Sequence, residues 1–364
     1  MRGWLALLAL CATPPLHAQG QPEWVGLWEG RIGDLPIRAC FDAWEDSPGR
    51  GSYYYLRYLE PISLSEEDGE GGWIERAPGA GTEALWEFAE LSAQRMRGTW
   101  RQGRRGLPFA LDPVPWQNRE EQGPCGSVEF LSPRLQGGTV DQHAAELGGW
   151  RYIRRSYVPP AQLQDDVSID SFTFVPERPG DPAILAALEP YLPPDRAGND
   201  VFDCLAGALS QLGTDGFFEH TLAPTMITRA FLSIEDSSST FCGGAHPNYW
   251  TLTRTFDRGT GAELDISGWL GLPREQGADD PAMPASLRSL ILARWPAEAE
   301  PECRELAGEA DYWTFGLARE GVIFRPDFPH VATACEDAVV VEWSPLAPFL
   351  NDQGRAGLAR LRAD

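Results

Sequence analysis

The chain has 364 residues, 43% of them hydrophobic, and its 30 Lys+Arg against 53 Asp+Glu give a formal net charge of −23 at pH 7. That length accommodates two domains, each able to bury a core without metal or oligomerisation. The acidic excess repels nucleic acid and anionic lipid, which excludes both as main partners and leaves attraction to a cationic partner, or plain solubility, as its consequence.

Every basic residue is an arginine. Met1-Arg2-Gly3-Trp4 precedes an apolar run from Leu5 to Ala12, followed by Pro14, Pro15 and Leu16-His17-Ala18. A charged start, a short apolar centre and a small residue at the cut predict a signal peptide, 1–18, and a periplasmic or secreted mature protein. The run is too short to span a bilayer and no later one is long enough, so membrane insertion is not expected. Leu10 before Cys11 is bulkier than the small residue that lipoprotein processing requires. Beyond Cys11 the cysteines are Cys40, Cys125, Cys204, Cys242, Cys303 and Cys335. An even set in an exported chain points to disulfides, whereas zinc would call for close C-x-x-C pairs. The sequence does not choose among the possible pairings. With Cys40 and Cys125 in the first half and four in the second, the expectation is sequential: Cys40–Cys125, Cys204–Cys242 and Cys303–Cys335.

Residues 22–130 read as an antiparallel β domain. Trp24–Glu29 and Ile32–Phe41 are β-like runs separated by Gly33-Asp34, a tight hairpin in which glycine supplies positive φ. Ile37, Ala39 and Phe41 alternate with Arg38 and Cys40, the period of a half-buried strand. Short runs follow at 52–58, 62–64, 73–75, 84–91, 96–100 and 107–112, punctuated by Gly, Pro, Asp and Ser. Such spacing without helices predicts an all-β meander, closed as a barrel or strongly curved. Tyr53, Tyr54, Tyr55 and Tyr58 suggest a glycan-stacking surface, but alternation sends Tyr53 and Tyr55 to one face and Tyr54, Leu56 and Tyr58 to the other, so at least one set belongs to a core. Gly-x-Trp-x-Gly followed by Tyr-Tyr-Tyr-Leu-Arg-Tyr and Arg-Gly-Thr-Trp resembles β-meander modules of other exported bacterial proteins.

From Leu131 the periodicity fades, and 131–162 reads as a linker region with turns at Gly137-Gly138, Gly148-Gly149 and Pro159-Pro160 and a strand near 150–157. His143, with no suitable neighbours for a metal, is expected in solvent. Residues 163–350 alternate helix and strand signals: a strand at 167–175, a helix opened by Asp181 as cap with Pro182, and an amphipathic helix at 200–212 that turns Cys204 inward. Strands follow at 217–222, 229–236 and 249–257, with a hairpin through Gly259-Thr260-Gly261. A helix starts at Pro284, and the last strands lie at 312–317, 322–324 and 339–343 before a short helix near 346–350. Helices with mainly hairpin-linked strands indicate an α+β domain with an antiparallel sheet. Residues 351–364 read as a polar tail.

Gly244-Ala245-His246 after an aromatic, Phe256-Asp257 with Thr260-Gly261, the alternating Leu264 and Ile266, Gly321-Val322-Ile323-Phe324 with Pro326, and Val341-Glu342-Trp343 with Leu346 together carry a resemblance. Over about 163–350 the chain resembles the C-terminal domain family of the anti-sigma factor RsiV, shared with PdaC-type peptidoglycan deacetylases. Where that family continues into Asp-Leu-Phe, this chain has Gly268-Trp269-Leu270. In RsiV the domain binds lysozyme, and in the deacetylases it accompanies the catalytic domain. The resemblance thus implies an α+β binding module of the cell envelope whose partner is a cationic protein such as lysozyme, or an envelope glycan such as peptidoglycan.

The stretch Phe241–Trp250 is the densest in special residues. Gly243, Gly244, His246, Asn248, Tyr249 and Trp250 are its candidate binding residues, with Tyr249 and Trp250 as a rim. His246 with Asp257 or Asp236 is a candidate catalytic pair for an envelope hydrolase, although none of the spacings is diagnostic and G-x-S-x-G, H-E-x-x-H and H-x-x-E-H are absent. The competing reading makes His246 a side chain satisfied within its own loop, with Gly243 and Gly244 allowing the turn. His220, His246 and His330 are too scattered to predict a metal, and no cofactor is expected. A binding protein is the leading reading; the hydrolase, and a structural envelope protein without a ligand, are the alternatives.

Overall fold

A computed structural model describes residues 22–44, 48–67, 72–76, 83–118, 122–188, 192, 199–272 and 282–363, so the signal peptide expected at 1–18 lies outside the described residues. Eight consecutive strands form a closed antiparallel barrel: β1 (Gly26–Ile32), β2 (Leu35–Asp42), β3 (Arg50–Tyr55), β4 (Ile62–Glu66), β5 (Gly72–Arg76), β6 (Ala84–Ser92), β7 (Arg95–Gln102) and β8 (Arg105–Val114), with β8 pairing back onto β1. Strands β1 and β2 meet in the expected two-residue hairpin through Gly33, at φ 56°.

Alternation along each strand fills the barrel interior. Trp28, Ile37, Phe41, Tyr53, Trp73 and Trp86 are at most 2% exposed, and Trp86 lies 4.7 Å from the Phe109 ring. A barrel of eight strands has just enough room for such side chains, so this one is a packed core. Glu75, inside it, accepts hydrogen bonds from Tyr53 Oη at 2.8 Å and Trp100 Nε1 at 2.6 Å. Burial, reinforced by that carboxylate, pushes the Tyr53 phenol far up.

Facing outward, Leu27, Cys40 and Tyr54 are nonetheless buried, because the second half of the chain covers them. Both faces of the tyrosine run are therefore core at Tyr53 and Tyr54, and the glycan-stacking alternative does not hold for those two. The cover is α1 (Val128–Leu135), capped by Ser127 Oγ, which accepts from Phe130 N. Cys40–Cys125 ties the barrel to the segment before α1, and Tyr54 Oη donates to Phe130 O at 2.9 Å.

A six-stranded sheet follows in the order β14-β13-β12-β11-β10-β9, built from β9 (Thr139–Leu147), β10 (Trp150–Val158), β11 (Val167–Thr173), β12 (Phe217–Ile227), β13 (Phe231–Phe241) and β14 (Asn248–Asp257). Residues 131–162 are thus no linker: they hold the end of α1, a hairpin of the main sheet and a 3-10 turn at Ala161–Leu163. The hairpin turns through Gly148 (φ 58°) and Gly149 (φ 85°), the double positive φ of a type I′ turn. Strand β9 is an edge strand with mostly exposed residues, which is why it shows no hydrophobic period. Nor is the sheet wholly antiparallel: β11 and β12 run parallel, joined by α2 (Asp181–Leu188) and α3 (Asp200–Leu212) as the crossover that such a pair requires. Helix α3 packs Val201, Cys204, Leu205 and Leu209 into the core shared with the barrel.

The last part comprises α4 (Ala285–Leu292), α5 (Pro301–Glu309), a three-stranded sheet of β15 (Tyr312–Leu317), β16 (Gly321–Asp327) and β17 (Val339–Glu342), then α6 (Trp343–Leu346) and α7 (Asp352–Arg362). It closes over one face of β13–β14, where Leu317 N donates to Thr255 Oγ1 at 3.2 Å. Residues 351–364, read as a polar tail, contain α7 instead. Gly354 and Gly357 let that helix lie against Trp269 while Leu358 and Leu361 are buried. Two of the four inward residues are glycines, so the stripe carries little hydrophobic signal. The disulfides are Cys40–Cys125, Cys204–Cys242 and Cys303–Cys335. Among the described residues no helix is long and apolar enough to cross a membrane.

Candidate functional site

Phe241–Trp250 forms the tip of the β13–β14 hairpin, stapled to α3 by Cys204–Cys242. Gly243 (φ 93°) and Gly244 (φ 92°) turn the chain, and a Cβ on Gly243 would meet the Gln211 side chain at 2.9 Å. His246 is exposed, with Nδ1 3.0 Å from the Pro247 carbonyl oxygen. The fold does not bring it to either candidate carboxylate. Asp236 stands opposite Leu252 and Asp257 opposite Phe231, whereas the tip begins at Thr240 opposite Asn248. At about 3.3 Å per residue the two carboxylates lie roughly 13 and 30 Å down the hairpin. Both are engaged elsewhere. Asp236 accepts from Arg254 at 3.0 Å and sits 2.8 Å from Nε2 of buried His220. Asp257 accepts from Arg360 at 2.7 Å and from Gly259 N, contacts that hold its carboxyl below the ordinary range against the opposing effect of burial.

Tyr249 and Trp250 border a depression of only about 60 Å³, shared with Phe328 and Glu336 and without His246. Small-molecule sites run to about 300–1,000 Å³, so this rim holds no more than a few waters. Tyr249 Oη bonds Thr251 Oγ1 at 3.0 Å, Asn248 is exposed, and the Trp250 ring covers His220 with centroids 5.8 Å apart. His143 is exposed on β9, as expected. Among the described residues no group of His, Cys, Asp and Glu is placed to hold a metal.

A different place collects chemically matched residues. Between the barrel and the second unit opens a cleft of about 770 Å³ with Tyr55, Tyr58, Glu60, Asp165, Asp166 and Asp215 in its walls. Its three walls come from the loop after β3, the 3-10 turn before β11 and the loop after α3, and Arg134 of α1 ties them together. The Arg134 side chain is fully buried. Its Nε donates to Leu59 O at 2.6 Å, and its two terminal nitrogens grip Asp215 at 2.7 and 2.5 Å. Its own carbonyl accepts from Gln162 Nε2. Leu59 has φ 62°, a conformation that non-glycine residues seldom adopt. That backbone turn, closed by Leu59 N donating to Tyr55 O at 2.9 Å, aims the Leu59 carbonyl at the guanidinium.

Asp166 is the electrostatically unusual group of the cleft. Burial first, then the neighbouring Asp215 and Asp165, push its carboxyl up to about 6 against the opposing pull of Arg134. Tyr58, 55% exposed, already carries the Arg57 guanidinium 5.4 Å over its ring, so its face accepts a cation. Because folding raises the Asp166 pKa from 3.8, its favourable contribution is complete below about 3.8 and disappears as the pH passes about 6. We expect Asp166→Asn to melt above the wild type at pH 7.5, with the difference closing at pH 4; equal melting at both values contradicts this assignment.

Sequence reasoning named Tyr55 and Tyr58 but not the carboxylates facing them. The adjacent acids Asp165-Asp166 right after Pro159-Pro160 were the available signal. What hid the site is that its walls come from three separate stretches of the chain, near 55–62, 161–166 and 214–215.

No protein-family profile matches the chain, and no curated protein matches it. Solved structures that resemble it include two described as DUF3298-family proteins. One, from Bacteroides fragilis NCTC 9343, is 11% identical, with 63% of this chain and 97% of that one covered at a TM-score of 0.38. The other, from Pseudomonas aeruginosa PAO1, is 16% identical, covering 59% and 94% at a TM-score of 0.32.

Proposed function

We propose that the protein is an exported binding protein of the cell envelope, and that its ligand surface is the acidic, tyrosine-lined cleft between the barrel and the second unit. The observation that carries this reading is the convergence of Glu60, Asp165 and Asp166 on one concavity with Tyr55 and Tyr58, while the buried Arg134 fork is bonded to Asp215. Carboxylates held together without a cation favour a partner that brings one. A lysine or arginine side chain of a cationic protein such as lysozyme supplies it, and tyrosine faces add cation–π attraction. The formal charge of −23 steers such a partner from a distance. Three disulfides suit an oxidising compartment. The resemblance to the RsiV C-terminal domain, which binds lysozyme, supports the same reading.

Binding of this kind depends on pH through Asp166. Its carboxylate, ionised only above about 6, is the form that attracts a cation, so affinity rises from pH 5 to pH 7 and binding releases protons between those values. The test is a calorimetric titration of lysozyme into the protein at low salt, with the variant Asp165→Asn/Asp166→Asn in parallel. We expect binding that weakens with salt and falls about tenfold or more in the variant. Absence of lysozyme binding at every salt concentration, or equal affinity in the variant, rules out the proposal. Retention on insoluble peptidoglycan without lysozyme binding transfers the ligand to the envelope glycan.

A further inference from the structure

At the opposite end of the six-stranded sheet the electrostatics reverse. A cleft of about 620 Å³ is bordered by Trp150 and Arg151 of β10, by Phe174, Glu177 and Arg178 after β11, and by Arg229 and Arg258 at the neighbouring strand ends. It lies about 30 Å from the acidic cleft, because β11 runs from Asp166 at one to Phe174–Val175 at the other, at about 3.3 Å per residue. Four arginines face one glutamate there, in a chain with a large excess of acid.

Arg258 is the fixed floor of this cleft. Only 1% exposed, it pairs with Asp181 through Nε and a terminal nitrogen, both at 2.8 Å, and donates to Thr228 O at 2.6 Å. Trp150 and Phe174 stack on it, with its guanidinium carbon 4.5 and 5.4 Å from their ring centres. Asp181 also accepts from Glu177 N and Arg178 N, so this carboxylate orients the segment that carries Arg178 rather than capping α2. Asp181 neutralises Arg258 alone. Arg151 is exposed, without a carboxylate partner among the described residues, and Arg178 Nε is a buried donor with no acceptor there. Buried donors in folded proteins are nearly always satisfied, so this one favours an oxygen acceptor at the cleft. Gly148-Gly149 and exposed Val175 leave the mouth open.

We propose that this cleft is an anion-binding site, taking a carboxylate or phosphate group borne on a sugar-sized body. Arginine forks match the paired oxygens of either group, and the volume suits a ligand of that size. The indole edge of Trp150 offers an apolar wall to the body of the ligand. The site is independent of the acidic cleft, and the two would let one molecule hold a cationic and an anionic envelope component at once.

Calorimetry on the full chain in dilute chloride buffer tests it, with galacturonic acid, glucose 1-phosphate and inorganic phosphate as probes and galactose as the neutral control. The expected result is saturable binding of at least one anion, none of galactose, and a loss of about tenfold or more in Arg151→Gln/Arg178→Gln. Preference between the acid and the phosphate identifies the group; inorganic phosphate binding as well as its sugar ester removes the role given to Trp150. Unchanged lysozyme titration shows that the variant is folded, or, if lysozyme does not bind, an unchanged melting temperature does so. Arg151→Glu, at an exposed position, is the second variant and should abolish binding. The proposal is overturned if no anion binds at millimolar concentration, or if both variants bind like the wild type.

Discussion

Replacing Arg134 with methionine is expected to lower the stability of the protein by about 3–5 kcal/mol, the range for removing one partner of a buried ion pair. The side chain is enclosed, and all its nitrogens are occupied by Leu59 O and the Asp215 carboxylate. Methionine fills a similar volume but leaves Asp215, itself 9% exposed, without a counter-charge and Leu59 O without a donor. A large part of the loss therefore comes from what is left behind. The double variant Arg134→Met/Asp215→Leu should recover much of it, because a well-packed apolar pair often equals a buried ion pair. Guanidinium unfolding with the disulfides intact measures both. A loss below about 1 kcal/mol in the single variant, in the range of surface pairs, would show that Arg134 does not organise the cleft. The same substitution should weaken lysozyme binding, since the loop after β3 and the loop after α3 lose their common anchor.

Removing the Cys40–Cys125 disulfide, as Cys40→Ala/Cys125→Ala, is expected to cost about 4 kcal/mol. The bond closes a separation of 85 residues, and the chain-entropy estimate for a loop of that length is about 4–5 kcal/mol. Both cysteines are at most 1% exposed and sit in the core that the barrel shares with α1 and α3. That shared core makes a second prediction. Without the covalent link, the barrel and the six-stranded sheet should still unfold in one transition, because Leu27, Tyr54, Phe130, Leu205 and Leu209 pack together across the boundary. Two separate transitions, followed by tryptophan fluorescence and by far-ultraviolet circular dichroism, would mean that the disulfide alone couples the halves.

The proposals for the two clefts rest on different kinds of group. In the acidic cleft the partner must supply charge, and Asp166 makes the interaction sensitive to pH near 6. The arginines of the basic cleft stay charged throughout the working range, so a carboxylate such as galacturonic acid, itself ionised at pH 5 and 7, should bind there in a way governed by salt and far less by pH. Measuring lysozyme and galacturonic acid at pH 5 and 7 separates the sites without any mutation.

Much of the architecture is set by local sequence. Period-two alternation around Ile37, Ala39 and Phe41, and turn glycines such as Gly33, specify short antiparallel strands whichever partner they meet, and α3 is written in the three- and four-residue spacing of Val201, Cys204, Leu205 and Leu209. The sequential cysteine pairing is an expectation from the split between the halves, and the three bridges of the fold follow it. Other features depended on partners distant in the chain. Strand β9 and helix α7 were missed because an exposed edge strand and a glycine-faced helix lack an apolar period. Tyr54 and Cys40 point away from the barrel and are buried only because α1 and α3 come to cover them.

The functional surfaces belong wholly to that second category. Phe241–Trp250 concentrates its unusual residues in sequence, yet it folds into a hairpin tip whose glycines and cysteine serve the turn. Arg134 and Arg258 give no signal of burial, since an isolated arginine is expected in solvent. Their enclosure follows from Asp215 and Asp181, respectively 81 and 77 residues away. Sequence by itself determined the acidic, cysteine-paired character of the protein and the types of its elements, because those depend on composition and near-neighbour pattern. Only the tertiary structure decided where like charges gather without partners, because that depends on which distant loops the buried arginines pull together.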